Sequence, residues 1–202
     1  MGQKVTMHTG EGALSRTQFI AAGAVTAGAA VAAGVTAGPV EDTDAQTDKD
    51  VEALQLLLLL EYTEAAFYEE ALDRGALSGE IEGYAQAVLD QEREHLAFVR
   101  KALGSKAGEP PRFKFGDATR DPDQFAATAA ELEDLAVAAY NGQATNVSKP
   151  TLEAAATVVS VEARHAAWIR SIAGEPPAPD ATDKPLSANE VREGLERIGM
   201  RS

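Results

Sequence analysis

Two short segments, Glu92-Arg-Glu-His95 and Glu162-Ala-Arg-His165, give the clearest indication of how this chain folds. In an α-helix, residues three apart lie on one side and one turn apart, so each segment can offer a carboxylate and an imidazole to one metal ion. The likeness extends further, because an aromatic residue, a β-branched residue, an arginine and a glycine follow each histidine at identical offsets. The chain has 3 histidines, and both of those outside the extreme N-terminus belong to these segments. This pattern predicts an internal repeat that carries a metal site.

A second pair of matching segments precedes the first. Glu61-Tyr-Thr-Glu-Ala-Ala-Phe-Tyr68 and Glu133-Asp-Leu-Ala-Val-Ala-Ala-Tyr140 share a glutamate, a later alanine and a closing tyrosine at equal offsets. The repeating unit is therefore a helical hairpin, with a glutamate on its first helix and Glu-x-x-His on its second. Because the spacing between these features is nearly the same in both halves, we expect all of them at one height along a helical bundle.

Helical periodicity and end signals predict four long helices and a short terminal one. The expected elements are a helix from about Val51 to Arg74, one capped by Ser78 and ending at Leu103, one starting at Pro122 behind Asp121, one from Pro150 to Gly174, and a short helix behind the capping box Ser187-Ala-Asn-Glu190. No strand pattern is evident in the body of the chain. The connection over residues 104–121 is long enough to cross the bundle, so the sequence predicts an all-α, ferritin-like four-helix bundle of two hairpins joined by a long crossover.

The chain divides into four regions by composition. We expect an export signal or membrane anchor in residues 1–37, an acidic linker in 38–50, the bundle in 51–174, and a Pro-rich tail with a short helix in 175–202. The stretch Ser15-Arg-Thr-Gln-Phe-Ile20 resembles a twin-arginine signal in which Thr17 stands in place of the second arginine. A general secretory signal and an uncleaved anchor remain alternatives. The protein is therefore expected to be exported, either extracytoplasmic or secreted, and attached to a membrane if the segment is retained.

Charge and cysteine content narrow the kinds of site that the chain can build. The formal net charge of −14, from 18 basic and 32 acidic residues, argues against nucleic-acid binding, which needs clustered lysine and arginine. The absence of cysteine excludes disulfides, thiolate zinc sites and cysteine nucleophiles. Any metal site must therefore be made of carboxylates and imidazoles.

The two hairpins together supply a complete set of ligands for two metal ions. The predicted ligands are Glu61, Glu92, His95, Glu133, Glu162 and His165. In bundles with this arrangement, one glutamate from each of two helices and Glu-x-x-His from the other two bind two iron or manganese ions. Tyr68 and Tyr140 are either hydrogen-bond donors to ligand carboxylates or core residues. We expect Glu64 to be solvated, with a seventh ligand or a hydrogen-bond acceptor as the alternatives.

The chain resembles the secreted ferritin-like domain proteins of bacteria, a family that includes the plant desiccation-related proteins, over about residues 50–200. The stretches that carry the resemblance are Leu60-Glu-Tyr-Thr-Glu-Ala-Ala-Phe-Tyr68, Gln91-Glu-Arg-Glu-His95, Glu133-Asp-Leu-Ala-Val-Ala-Ala-Tyr140 and Val161-Glu-Ala-Arg-His-Ala-Ala-Trp168. The resemblance implies a four-helix fold and a di-iron site. It implies no particular activity.

Three functions are consistent with these features. The leading hypothesis is an exported protein with two iron ions, or two manganese ions, that reacts iron(II) with oxygen or removes peroxide. The alternative is a non-catalytic bundle associated with stress or desiccation, in which the metal site is structural or vestigial. Mineral storage of iron is a third reading, but it requires a closed shell of subunits, for which the sequence offers no sign.

Overall fold

A computed structural model describes residues 47–201. The predicted signal or anchor in residues 1–37 and most of the predicted linker lie outside these residues. Within the described part the chain forms five α-helices: α1 Asp48–Arg74, α2 Glu80–Leu103, α3 Pro122–Gln143, α4 Lys149–Ile172 and α5 Ala188–Ile198. None of these described helices combines the length and apolar character needed to cross a membrane.

The four long helices form two hairpins, as the repeats predict. Helix α1 packs along α2, and α3 packs along α4, while α1 also contacts α3 and α2 contacts α4. The run Leu56 to Leu60 lies near the middle of this arrangement, and four of its five side chains are buried. A helix whose apolar residues cover most of its circumference must be enclosed by neighbours on several sides. The expected all-α, ferritin-like bundle is therefore confirmed.

The crossover between the hairpins contains short regular elements. Two 3-10 turns, Gly104–Lys106 and Gly116–Thr119, flank the strand β1, Arg112–Phe113, which pairs in antiparallel fashion with β2, Met200–Arg201. These two short strands were not predicted from the sequence. A strand of two residues is too short to produce an alternating sequence pattern, and this pair forms because the C-terminal residues meet the crossover.

Most of the predicted helix starts are observed. The Asp121 side chain accepts a hydrogen bond from the Gln124 amide at 2.9 Å, and Ser187 caps α5 through the predicted box. Helix α2 differs, because its cap residue is Gly79 instead of Ser78, with a positive φ of 67° and no side-chain hydrogen bond. Glycine adopts this backbone conformation readily, because it has no Cβ atom.

The N-terminal end of α1 is joined to the start of α4 through Asp50. Helix α1 begins at Asp48, before its predicted start, and Thr47 forms a capping box with Asp50. The Asp50 Oδ1 atom also accepts a hydrogen bond from the Ser148 amide at 2.7 Å. Asp50 is buried, so the last residues assigned to the acidic linker belong to the bundle.

The C-terminal segment is packed into the core. Val191 and Leu195 of α5 are fully buried, and Gly194 lies so close to Leu135 of α3 that an added Cβ would be 2.8 Å from the leucine Cδ2. The Leu186 amide donates to the Ala138 carbonyl at 3.0 Å. The short helix behind the Pro-rich segment thus completes the hydrophobic core.

The two aromatic residues that follow the Glu-x-x-His segments lie at the surface. Phe98 is 41% exposed and Trp168 is 39% exposed, although they occupy equivalent positions in the two hairpins. Trp168 still makes an edge contact with the buried Tyr84, with ring centroids 5.2 Å apart. These side chains therefore lie on the outer faces of α2 and α4.

Candidate metal centre

The six side chains predicted as metal ligands meet inside the bundle. They are Glu61 on α1, Glu92 and His95 on α2, Glu133 on α3, and Glu162 and His165 on α4. The four glutamates have no exposed surface, and His95 and His165 are buried. Helical spacing accounts for this placement, since Glu and His three residues apart share one face of α2 and of α4.

The six residues form two adjacent groups suited to holding a metal ion. One group is Glu61, Glu92, His95 and Glu162, and the other is Glu92, Glu133, Glu162 and His165. Within each group, one ligand-type atom per residue lies within 4.8 Å of the others. Glu92 and Glu162 belong to both groups, so their carboxylates lie between the two candidate positions.

The His95 imidazole faces three carboxylates through a single atom. Its Nδ1 atom is 2.8 Å from Glu162 Oε1, 3.2 Å from Glu92 Oε2 and 3.8 Å from Glu61 Oε2. One ring nitrogen carries at most one hydrogen, so it cannot donate to all three oxygens. Lone pairs that converge in this way from nitrogen and oxygen are the arrangement of a ligand set around a cation.

The His165 imidazole is placed in the same way and is held by a further residue. Its Nδ1 atom is 3.0 Å from Glu92 Oε1 and 3.4 Å from Glu133 Oε2, while its Nε2 atom is 3.0 Å from Gln91 Oε1. The amide oxygen can only accept, so Nε2 donates and the neutral ring keeps its Nδ1 lone pair for a metal. Gln91 has no counterpart in the other repeat, where Val161 stands, and sequence analysis did not assign it to the site.

The site contains buried oxygens that the protein leaves without hydrogen bonds. Among the described residues, the buried side-chain oxygens with no hydrogen-bond partner are Glu61 Oε2, both oxygens of Glu64, Glu92 Oε1, Glu133 Oε2 and Glu162 Oε1. Glu92 Oε1 and Glu162 Oε1 lie near histidine nitrogens, but without the direction that a hydrogen bond requires. A buried carboxylate is costly unless it is paired or binds a metal.

Two tyrosines support ligands from the opposite hairpin. Tyr140 donates to Glu61 Oε1 at 2.5 Å, and Tyr68 donates to Glu133 Oε1. The Tyr84 hydroxyl lies 2.9 Å from that of Tyr68, whose only hydrogen is directed to Glu133, so Tyr84 donates to Tyr68. Tyr68 and Tyr140 fill both of the roles considered for them. Each is buried in the core, and each donates a hydrogen bond to a predicted ligand. Tyr84 was missed by sequence analysis, because it lies outside the repeated pattern.

Mutual repulsion and burial disfavour the charged form of several of these carboxylates. Burial raises the pKa of Glu61 well above its ordinary value of 4.5, and the Glu162 and Glu92 carboxylates raise it further. Burial likewise raises the pKa of Glu133 to about 8. The raised pKa values favour a bound proton on Glu61 and on Glu133. A divalent cation would displace these protons.

The pKa values of both imidazoles are raised, which favours their charged form. Burial acts to lower the pKa of His95, but the close Glu162 and Glu92 carboxylates outweigh it and raise the pKa to about 10. The carboxylates around His165 raise its pKa to about 12 against the same effect of burial. Burial acts to raise the pKa of Glu162, but the two histidines lower it. In the metal-free protein, these shifts therefore favour the positively charged imidazolium form of both histidines.

Glu64 does not behave as a solvated residue, so the expectation for it is wrong. Its exposed fraction is 0%, and neither carboxylate oxygen has a hydrogen-bond partner among the described residues. It lies outside the two groups of close ligand atoms. Sequence analysis could not predict this burial, because the face of α1 that carries Glu64 is enclosed only by helices from the rest of the bundle.

Comparison with known proteins gives one family match. The sequence model of a family described as a ferritin-like domain matches residues 49–175, which contain all six predicted ligands. No curated protein matches the chain.

Proposed function

The chain belongs to the ferritin-like domain family, and from this membership we propose that it binds two divalent iron or manganese ions. The ligands in this proposal are Glu61, Glu92, His95, Glu133, Glu162 and His165. The observation that carries it is the set of buried carboxylate oxygens in these residues that have no hydrogen-bond partner among the described residues. Cations placed among them would supply the missing partners.

The chemistry of the donor set fits these metals. Carboxylates and imidazoles suit iron and manganese, whereas a thiolate site is excluded by the lack of cysteine. Four carboxylates balance the charge of two divalent ions, and Glu92 and Glu162, present in both groups, can contact both ions. Without metal, burial and then repulsion from the Glu162 and Glu92 carboxylates raise the pKa of Glu61.

We propose that the bound ions react with oxygen or peroxide. Iron or manganese at such a centre supplies a change of oxidation state and open coordination positions for a small oxidant. The protein contributes orientation and exclusion of water. Gln91 directs the His165 ring, and Tyr68 and Tyr140 hold the Glu133 and Glu61 carboxylates. His95, at 9%, has the largest exposed fraction of the six ligands, so a small oxidant would approach from its side.

A non-catalytic, stress-associated bundle with a structural metal site is the competing function. The enclosure of the site favours it, because four of the six ligand side chains have no exposed surface. A structural ion needs no open route to solvent, whereas a reacting centre does. The two functions differ in whether the bound metal reacts with an oxidant.

The test compares metal binding with reaction in the full-length protein. The wild type and Glu92→Gln would be loaded with iron(II) without oxygen, with Glu94→Gln as the control, since Glu94 is exposed on the same helix. We expect about two ions per chain in the wild type and the control, and fewer in Glu92→Gln. The iron(II)-loaded protein would then be exposed to oxygen or peroxide, and oxidation of the iron(II) would be measured by absorbance. Stoichiometric binding without reaction would favour the structural role, and no binding would reject the metal site.

We further propose that the protein is exported by the N-terminal segment, with a twin-arginine-like signal around Arg16. Folding before transport would allow the cytoplasm to determine which metal is loaded. The test is to measure secretion of the full-length chain and of an Arg16→Lys variant. Unchanged export of the variant would argue against this route.

A further inference from the structure

Glu64 is a buried carboxylate with no partner. The side chain has an exposed fraction of 0%, and neither oxygen accepts or shares a hydrogen bond within the described part of the chain. Removal from water is costly for a carboxylate and still unfavourable for a neutral acid whose hydroxyl lacks an acceptor. A native core retains such a group only if something absent from the polypeptide satisfies it.

The position of Glu64 in the fold indicates what kind of partner its carboxylate lacks. Glu61 and Glu64 are three residues apart on α1, the same spacing that brings Glu92 and His95 to one centre. The equivalent position in the second hairpin is Ala136, which is also fully buried. The two hairpins therefore match in their six predicted ligands and differ at this position by one additional carboxylate.

No basic side chain among the described residues is paired with Glu64. Burial raises its pKa well above 4.5, and the groups that raise it further are Glu92, Glu162, Glu133 and Glu61, all of them predicted ligands. No lysine, arginine or histidine in the described residues forms an ion pair with it. Glu64 thus lies in the field of the same four carboxylates, where a cation is the missing partner.

We propose that Glu64 is a seventh ligand of the metal centre, and that it adds a fifth carboxylate on the side of α1. This inference rests on the proposed function. Two divalent ions would leave such a centre with one negative charge in excess, so it should favour ions of higher charge more than a symmetric centre with Ala at both positions. No hydrogen bond among the described residues fixes the position of the Glu64 carboxylate.

The first test measures metal affinity in the full-length protein, with no reliance on activity. Wild type, Glu64→Gln and Glu52→Gln would be titrated with manganese(II) by calorimetry; Glu52 is exposed on the same helix and controls for the lost charge. We expect Glu64→Gln to bind one of two ions about 10- to 100-fold more weakly, and the control to match the wild type. Wild-type affinity for both ions in Glu64→Gln would overturn the seventh ligand and leave the proposed function standing. Failure of the wild type to bind would reject both.

A second measurement avoids substitution altogether. In a crystal structure of the manganese-loaded wild type, we expect a Glu64 oxygen within about 2.0–2.2 Å of an ion, the length of a metal–carboxylate bond. Ions bound by the six other residues with Glu64 out of contact would overturn the inference. This result decides the question even if the Glu64→Gln variant fails to fold.

Discussion

The Tyr140 hydroxyl donates to Glu61 Oε1 across 2.5 Å, although the two residues are 79 positions apart in the chain. Tyr68 makes the reciprocal bond to Glu133, so each hairpin orients a predicted ligand of the other. A shift of one hairpin relative to the other would break these bonds. The geometry of the candidate centre is therefore tied to the packing of the two halves.

This relationship predicts a loss of metal affinity when either hydroxyl is removed. Tyr140→Phe should weaken manganese(II) binding by about 10- to 100-fold, because Glu61 loses the bond that orients it. Tyr62→Phe is the matched control, since Tyr62 donates to the Gly108 carbonyl at 3.0 Å, in the crossover. Calorimetric titration of both variants checks this. Equal affinities in the two would show that the tyrosine does not orient the ligand.

The pKa shifts predict how the stability of the metal-free protein depends on pH. Glu133 has an ordinary pKa of 4.5 and a folded pKa of about 8, so between these values the folded state holds a proton that the unfolded state has lost. Its contribution is complete below pH 4.5 and is lost as the pH rises through 8. His95, with a pKa of about 10, acts in the same direction above pH 6.5. The melting temperature without metal should therefore fall between about pH 5 and about pH 9.

Calorimetric melting of the chelator-treated protein at several pH values measures this slope. The variant Glu133→Gln cannot titrate at that position and should show a smaller decline. A metal-free melting temperature that is constant or rises over this range would contradict the assigned directions.

The close approach between α3 and the segment before α5 predicts a strong effect at Gly142. A Cβ atom there would lie 1.9 Å from the Leu186 carbonyl oxygen, so Gly142→Ala must displace backbone. We expect it to lower the free energy of unfolding by about 1–3 kcal/mol. Gly83→Ala, in α2, meets no atom within 4 Å and should instead stabilise by about 0.5–1 kcal/mol. Chemical denaturation of both variants tests the contrast, and similar effects would refute it.

Asp50 predicts a pH-dependent contribution where the start of α1 meets the start of α4. Burial acts to raise its pKa, but hydrogen bonds from Ser148 and Thr47 lower it to about 2. Asp50→Ala should cost about 1.5–3 kcal/mol at neutral pH, whereas the exposed Asp48→Ala should cost only about 0.3–1 kcal/mol. Because its pKa is lowered in the folded state, the Asp50 carboxylate stabilises the protein above pH 3.8. This stabilisation is lost as the pH falls through about 2. Denaturation at neutral pH and in acid measures both variants, and a deficit that persists below the folded pKa of about 2 would contradict this origin.

The helical hairpins and the six candidate ligands that share one centre could be predicted from the chain alone. Glu-x-x-His can be recognised in a sequence because helical geometry puts residues three apart on one face, whatever the helix packs against. The repeat then placed both segments at the same height. Metal binding by these six residues stays a prediction, although their meeting in the core is observed.

The groups that surround those ligands became evident only in the folded molecule. Gln91 and Tyr84 lie on helix faces whose neighbours come from distant parts of the chain, and no local spacing marks them as parts of a site. Glu64 stands one turn from Glu61 in the sequence, but its complete burial without a partner is evident only in the fold. The same holds for the two-residue strands and for Asp50, whose partner Ser148 is 98 positions away. Periodicity predicts which side of a helix is apolar, but burial and hydrogen bonding depend on the element that packs against that side.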